Sequence, residues 1–105
     1  MSCFIRTSLS ILFADPTAAP RVFEKLFSSM SQGVRLRGLA AGRLGEGCVI
    51  LTSLEHRREA QRALAPIELP ALRIELFCEN PDSVLECLEK IRSALEGEVY
   101  TSSII

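Results

Sequence analysis

At 105 residues the chain is the size of one domain, and a chain of that length can bury most of its unfolded surface without a metal or a disulfide. Its 48% apolar content excludes an extended disordered protein, and no apolar run approaches the ~20 residues that a membrane-spanning helix needs. The net charge of −1 hides a gradient, because residues 1–62 carry nine basic and five acidic side chains and residues 63–105 carry three and eight. Such asymmetry fits either a basic binding face or charge pairing within or between copies of the fold.

Residues 3–14 alternate, with Cys3, Ile5, Thr7, Leu9, Ile11 and Phe13 on one face and Phe4, Arg6, Ser8, Ser10 and Leu12 on the other. That period predicts a strand with one packed side. Ser8, Ser10 and the Asp15-Pro16 stop argue against a signal peptide, so the expected compartment is the cytoplasm. A loop over 15–19 precedes a helix from Pro20, whose stripe is Val22, Phe23, Leu26, Phe27 and Met30, with Gly33 as its stop. Val34, Leu36 and Leu39 alternate with Arg35 and Arg37 as a half-buried strand. Gly42, Gly45 and Gly47 crowd the turn that follows, where glycine reaches positive φ without a Cβ clash. The unbroken apolar run Cys48–Leu51 reads as an inner strand covered on both faces.

Thr52-Ser53-Leu54-Glu55 has the letters of a capping box, opening a short helix over HRREAQRAL that Pro66 ends. Residues 66–70 form a connector. Leu72, Ile74, Leu76 and Cys78 share one face of a further strand. Asn80-Pro81 then supplies the N-cap and first position of a helix bearing Val84, Leu88, Ile91 and Leu95 and closed by Gly97. Val99–Ile105 is a β-rich tail. The order β-α-β-β-α-β-α-β predicts an α+β, ferredoxin-like sandwich (βαββαβ) with an added C-terminal helix and strand. In that arrangement residues 3–14 and 48–51 are adjacent central strands.

The chemistry-bearing residues are sparse. Cys3, Cys48, Cys78 and Cys87 make no C-x-x-C pair, and His56 is the single histidine, so no metal or cofactor is expected. Buried thiols are the first reading of the cysteines; a disulfide is the alternative, with Cys3 and Cys48 as the pair brought side by side by that topology. No spacing marks out a nucleophile for His56, Glu86 and Glu89 fit a solvated helix face, and the glycines match no phosphate loop. An enzyme is not expected. Arg35, Arg37, Arg43, Arg57, Arg58 and Arg62 are candidates for an anion or nucleic-acid surface. The lack of aromatic residues among them disfavours stacking recognition of single-stranded RNA.

Residues 7–65, TSLSILFADPTAAPRVFEKLFSSMSQGVRLRGLAAGRLGEGCVILTSLEHRREAQRALA, resemble an ACT-type regulatory domain. The likeness runs through the strand, the Asp-Pro loop, the amphipathic helix, Gly33-Val34 leading into a strand, the hairpin, the apolar strand and a short helix ending in alanine and leucine. It implies a ferredoxin-like fold, side-by-side pairing and a small ligand held near the first loop, at Asp15, Pro16 and Thr17. Thr17-Ala18-Ala19 stands where that family has a loop glycine.

The expected function is a non-enzymatic regulatory or complex-forming subunit that self-associates through its sheet, as a homo-oligomer or in a larger complex. Val99, Tyr100, Ile104 and Ile105 are its expected interface, since exposed strand edges pair readily. The alternative is an RNA- or anion-binding accessory protein that uses the arginines. No membrane partner is expected.

Overall fold

The computed structural model describes residues 4–59 and 67–104, without the side chains of 56–59 and 67–69. In chain order the elements are β1 (Ile5–Phe13), α1 (Ala18–Ser29), β2 (Ser31–Leu36), β3 (Leu39–Leu44), β4 (Cys48–Glu59), β5 (Ile67–Cys78), α2 (Pro81–Ala94) and β6 (Tyr100–Ile104). All six strands join one antiparallel sheet in the order β2-β3-β4-β5-β1-β6. This corrects the ferredoxin-like expectation of βαββαβ plus an appended helix and strand. β5 lies between β1 and β4, so the strands expected to be adjacent are separated by one.

The error begins at residues 52–59. The capping-box letters lie within β4, where Thr52, Ser53 and Leu54 stand opposite Ile74, Arg73 and Leu72. Thr52 is wholly buried, and cross-strand pairing with packing overrides the local helix signal. The rest of that expected helix, residues 60–65, lies outside the described residues. β4 and β5 pair from Cys48↔Cys78 to Glu59↔Ile67, whereas β3 stops at Ser53 and β1 at Ala71. The two strands therefore run on past their neighbours as a ribbon. Pro70 sits in that ribbon with β4 as its strand neighbour, an edge position that tolerates its missing N–H.

A second departure is at the glycines. Val34–Leu39 is not one strand: Arg37-Gly38 turns the chain, and Leu36 pairs with Leu39 across it. Gly38 takes φ +65° there, a conformation that is strained for residues with a Cβ. Leu39–Leu44 is a strand of its own, and Gly45–Gly47 forms the next turn into β4.

Both helices rest on one face of the sheet. Val22, Phe23 and Leu26 of α1 and Cys87 and Ile91 of α2 meet Leu9, Ile11, Ile50, Leu72, Ile74 and Leu76 in a single core. α1 begins at Ala18 rather than Pro20. Pro20 falls in the first turn, where a helix has no partner for the missing N–H in any case. α2 starts as expected: the Asn80 side chain accepts a hydrogen bond from the Ser83 backbone N–H at 2.9 Å, and Pro81 follows it. No helix is long and apolar enough to cross a membrane among the described residues.

The cysteine pairing is also corrected. Cys48 and Cys78 stand directly opposite each other at the end of β4 and β5, with Cα atoms 4.2 Å apart, and form a disulfide. Cys87 is a buried thiol, and Cys3 lies outside the described residues. The expected topology put the wrong strand beside Cys48.

Candidate functional site

Because strand residues alternate between faces, the face turned away from the helices can be read from the register. It carries Val34 and Leu36 of β2, Leu39, Ala41 and Arg43 of β3, Val49, Leu51, Ser53 and Glu55 of β4, Ala71, Arg73, Glu75 and Phe77 of β5, Arg6, Ser8, Ser10 and Leu12 of β1, and Thr101 and Ser103 of β6. Among the described residues no element covers this face. It divides into two halves of different chemistry.

The half formed by β2, β3 and β4 carries an apolar group, Val34, Leu36, Leu39, Ala41, Val49 and Leu51, together with Arg43, Ser53 and Glu55. Val34 and Leu36 are 70% and 75% exposed, and Leu39 and Val49 are 40% and 42% exposed. Val34, Leu36, Leu39, Ala41 and Leu51 line a shallow hollow of about 160 Å³, which Arg35 borders. Isolated exposed apolar side chains are ordinary, but a contiguous patch of them marks an interaction surface. This overturns two expectations. In place of a half-buried strand over 34–39, Val34 and Leu36 on β2 and Leu39 on β3 face outward on either side of the turn, and the Cys48–Leu51 run is covered on one side only.

The half formed by β5, β1 and β6 is polar. Glu75 is flanked by Arg6 at 3.0 Å and Arg73 at 3.5 Å, and its side chain is only 16% exposed. Ser8 and Ser10 lie beside it on β1, both buried.

The other expected site residues fall elsewhere. Asp15 closes the β1–α1 loop on itself: its carboxylate accepts the Thr17 backbone N–H at 2.9 Å, the Thr17 hydroxyl at 2.8 Å and an Arg21 N–H at 3.3 Å. Arg21 also grips Glu98 with two N–H groups, at 2.8 and 2.9 Å. The Thr17 backbone N–H, then its hydroxyl and Arg21, hold the Asp15 carboxyl below its ordinary range, and Arg21 does the same for Glu98. This loop is thus a clip joining the start of α1 to the segment before β6. Pro16 is exposed within it.

The described arginines divide between faces. Arg35 points to the helix side, paired with Glu24 at 2.6 Å and lying over the Phe27 ring at 4.8 Å. Arg43 is on the bare face opposite Val49, and Arg37 is in the β2–β3 turn. Arg57 and Arg58 occupy register positions opposite Leu69 and Glu68 on the ribbon; their side chains, and Arg62, lie outside the described residues. At the far edge, β6 pairs with β1, and Val99 and Ile104 are exposed there. Ile105 is outside the described residues.

Two groups escaped sequence reasoning. One is the Val34–Leu39–Val49–Leu51 patch, for which the signal was the alternation itself, with no means of telling which side the helices take. The other is a sulfur cluster: the Sγ atoms of Cys48, Cys78 and Cys87 all lie within 4.8 Å of one another. Cysteines 30 residues apart show no metal-ligand spacing until the register of β4 and β5 is known. Comparison with protein-family models, curated proteins and solved structures finds no match.

Proposed function

We propose that the protein is a non-enzymatic regulatory or complex-forming module that self-associates by stacking the bare face of its sheet on that of a second copy. One observation carries the reading: a six-stranded sheet has both helices on one side, and its other side presents Val34, Leu36, Leu39 and Val49 to solvent. Sheets with an apolar face are stable when a second layer covers it. A two-fold pairing supplies that layer from the same surface, so one self-complementary patch suffices. Sheet-on-sheet contact at about 10 Å spacing lets side chains of the two faces interdigitate. The polar half, with Arg6, Glu75 and Arg73 already paired, forms the rim of such a contact.

The test is solution mass by light scattering at low and high salt, with Leu36→Glu beside the wild type. The expected result is a salt-resistant dimer or larger assembly that Leu36→Glu reduces to a folded monomer. Apolar contact survives salt, whereas phosphate contacts weaken steeply with it. A wild-type monomer at all concentrations, or one held in complex with nucleic acid until salt strips it, overturns the reading. An assembly unchanged by Leu36→Glu but lost on deletion of 99–105 would move the interface to the β6 edge.

A further inference from the structure

Three cysteines meet beneath the β3–β4 turn, on the opposite side of the sheet from the proposed interface. Cys48 opens β4, Cys78 closes β5 and Cys87 descends from α2, so three separate elements each deliver one sulfur. All three residues are buried, and their sulfurs lie within 4.8 Å of one another. The surroundings are close-fitting. The Leu44 carbonyl is 3.0 Å from the Cys87 sulfur, and the Ser83 carbonyl is 3.2 Å from that of Cys48. At Gly47 an added Cβ would collide with the Ser83 side chain, so the turn fits tightly against the start of α2. Exposed Glu46 is in that turn.

In the disulfide form two sulfurs are bonded and the third remains a thiol. A phosphine reductant opens that bond: it supplies two electrons and becomes the phosphine oxide by taking oxygen from water, and the two protons of that water end on Cys48 and Cys78. We propose that the resulting three-thiol cluster binds one Cu(I) ion through the sulfurs of Cys48, Cys78 and Cys87.

The donor set selects the ion. Sulfur ligands favour soft cations, while structural zinc sites close with four protein ligands. No histidine or carboxylate joins these three sulfurs in the cluster among the described residues. Metal–sulfur bonds of ~2.3 Å directed to the corners of a plane put the sulfurs about 4 Å apart. The Cys48 and Cys78 sulfurs, bonded to each other in the disulfide form, separate to that distance once the bond is opened. Burial, with Glu86 adding to it, pushes the Cys87 thiol up from its ordinary pKa. Each thiol that becomes a ligand gives its proton to solvent. Disulfide and ion compete for the same two sulfurs, so oxidation of the chain empties the site.

The test is anaerobic titration of the full chain with Cu(I) against a chromophoric Cu(I) chelator, before and after phosphine reduction. The reduced protein should take one Cu(I) with an ultraviolet sulfur-to-copper band, and the disulfide form none at that affinity. Cys87→Ser should weaken binding at least about tenfold. Should Cys87→Ser fail to fold by circular dichroism, the comparison of oxidised with reduced wild type decides by itself. Equal loading of the two forms, full affinity in a folded Cys87→Ser, preference for Zn(II), or unfolding on reduction would each overturn the assignment. None of these outcomes bears on self-association through the other face.

Discussion

The two faces of this one sheet obey the same alternation and meet different fates. On β5, Leu72, Ile74 and Leu76 lie under the helices and are completely buried, while Arg73, Glu75 and Phe77 look the other way and are half-buried. On β2 the chemistry is reversed: Arg35 lies on the helix side against Glu24 and Phe27, and Val34 and Leu36 face solvent. A helix layer can accommodate an arginine at its margin when a carboxylate and an aromatic ring receive it. Nothing within the described chain plays that part for the leucine and valine. Apolar character therefore marks the core on one side and, on this account, a contact surface on the other.

Substitutions on the two faces should separate these roles, and the largest effect belongs to the covered one. Leu76→Ala should lower unfolding free energy by ~2–5 kcal/mol through transfer and cavity costs. Leu36→Ala should change it by less than ~0.5 kcal/mol in the monomer. Chemical denaturation of both variants in dilute solution checks this, and an equal loss in the two would erase the distinction between faces. Next in size is the covalent tie on the covered side. Reduction of Cys48–Cys78, which spans 30 residues, should cost about 3–4 kcal/mol on the chain-entropy account, read as a lower denaturation midpoint.

Smaller effects sharpen the picture. Asn80→Ala removes the side-chain acceptor at the start of α2 and should cost ~1 kcal/mol. Thr52 is the opposite case. Its hydroxyl is buried on the helix side and has no hydrogen-bond partner among the described residues, so Thr52→Val should raise stability by ~1 kcal/mol. Destabilisation there would show that the hydroxyl has a role in the core. Smallest is the Asp15–Arg21–Glu98 clip at the surface. The folded state lowers both carboxyl pKa values, so the clip contributes above the ordinary carboxylate range and fades as pH falls through the lowered values, below about pH 4. Replacing Arg21 with glutamine should reduce that acid-side dependence in a melting curve measured against pH by the Glu98 share, leaving the part that Thr17 holds on Asp15.

Much of the covered side was legible in the sequence. The faces of β1 and β5, the stripe of α1 and the Asn80-Pro81 start of α2 all follow from local period and capping chemistry. What was not legible depended on partners distant in sequence. Ala40, Ala41 and Gly42 have little strand propensity, so β3 emerges only because β2 and β4 flank it. Thr52–Glu55 carries a helix signal that pairing with β5 overrides. Val34 and Leu36 announced two faces but not which one the helices would occupy. The meeting of Cys48 with Cys78, and of both with Cys87, needed the register of two strands and the docking of α2. The bare patch and the sulfur cluster were invisible for the same reason.

The most direct test is a dilution series followed by nuclear magnetic resonance of leucine and valine methyl groups. On this account the methyls of Val34, Leu36, Leu39, Val49 and Leu51 shift with concentration while those of Val22, Leu72 and Leu76 stay fixed. Shifts confined to Val99 at the β6 margin, or no shifts anywhere on the bare face, would contradict it.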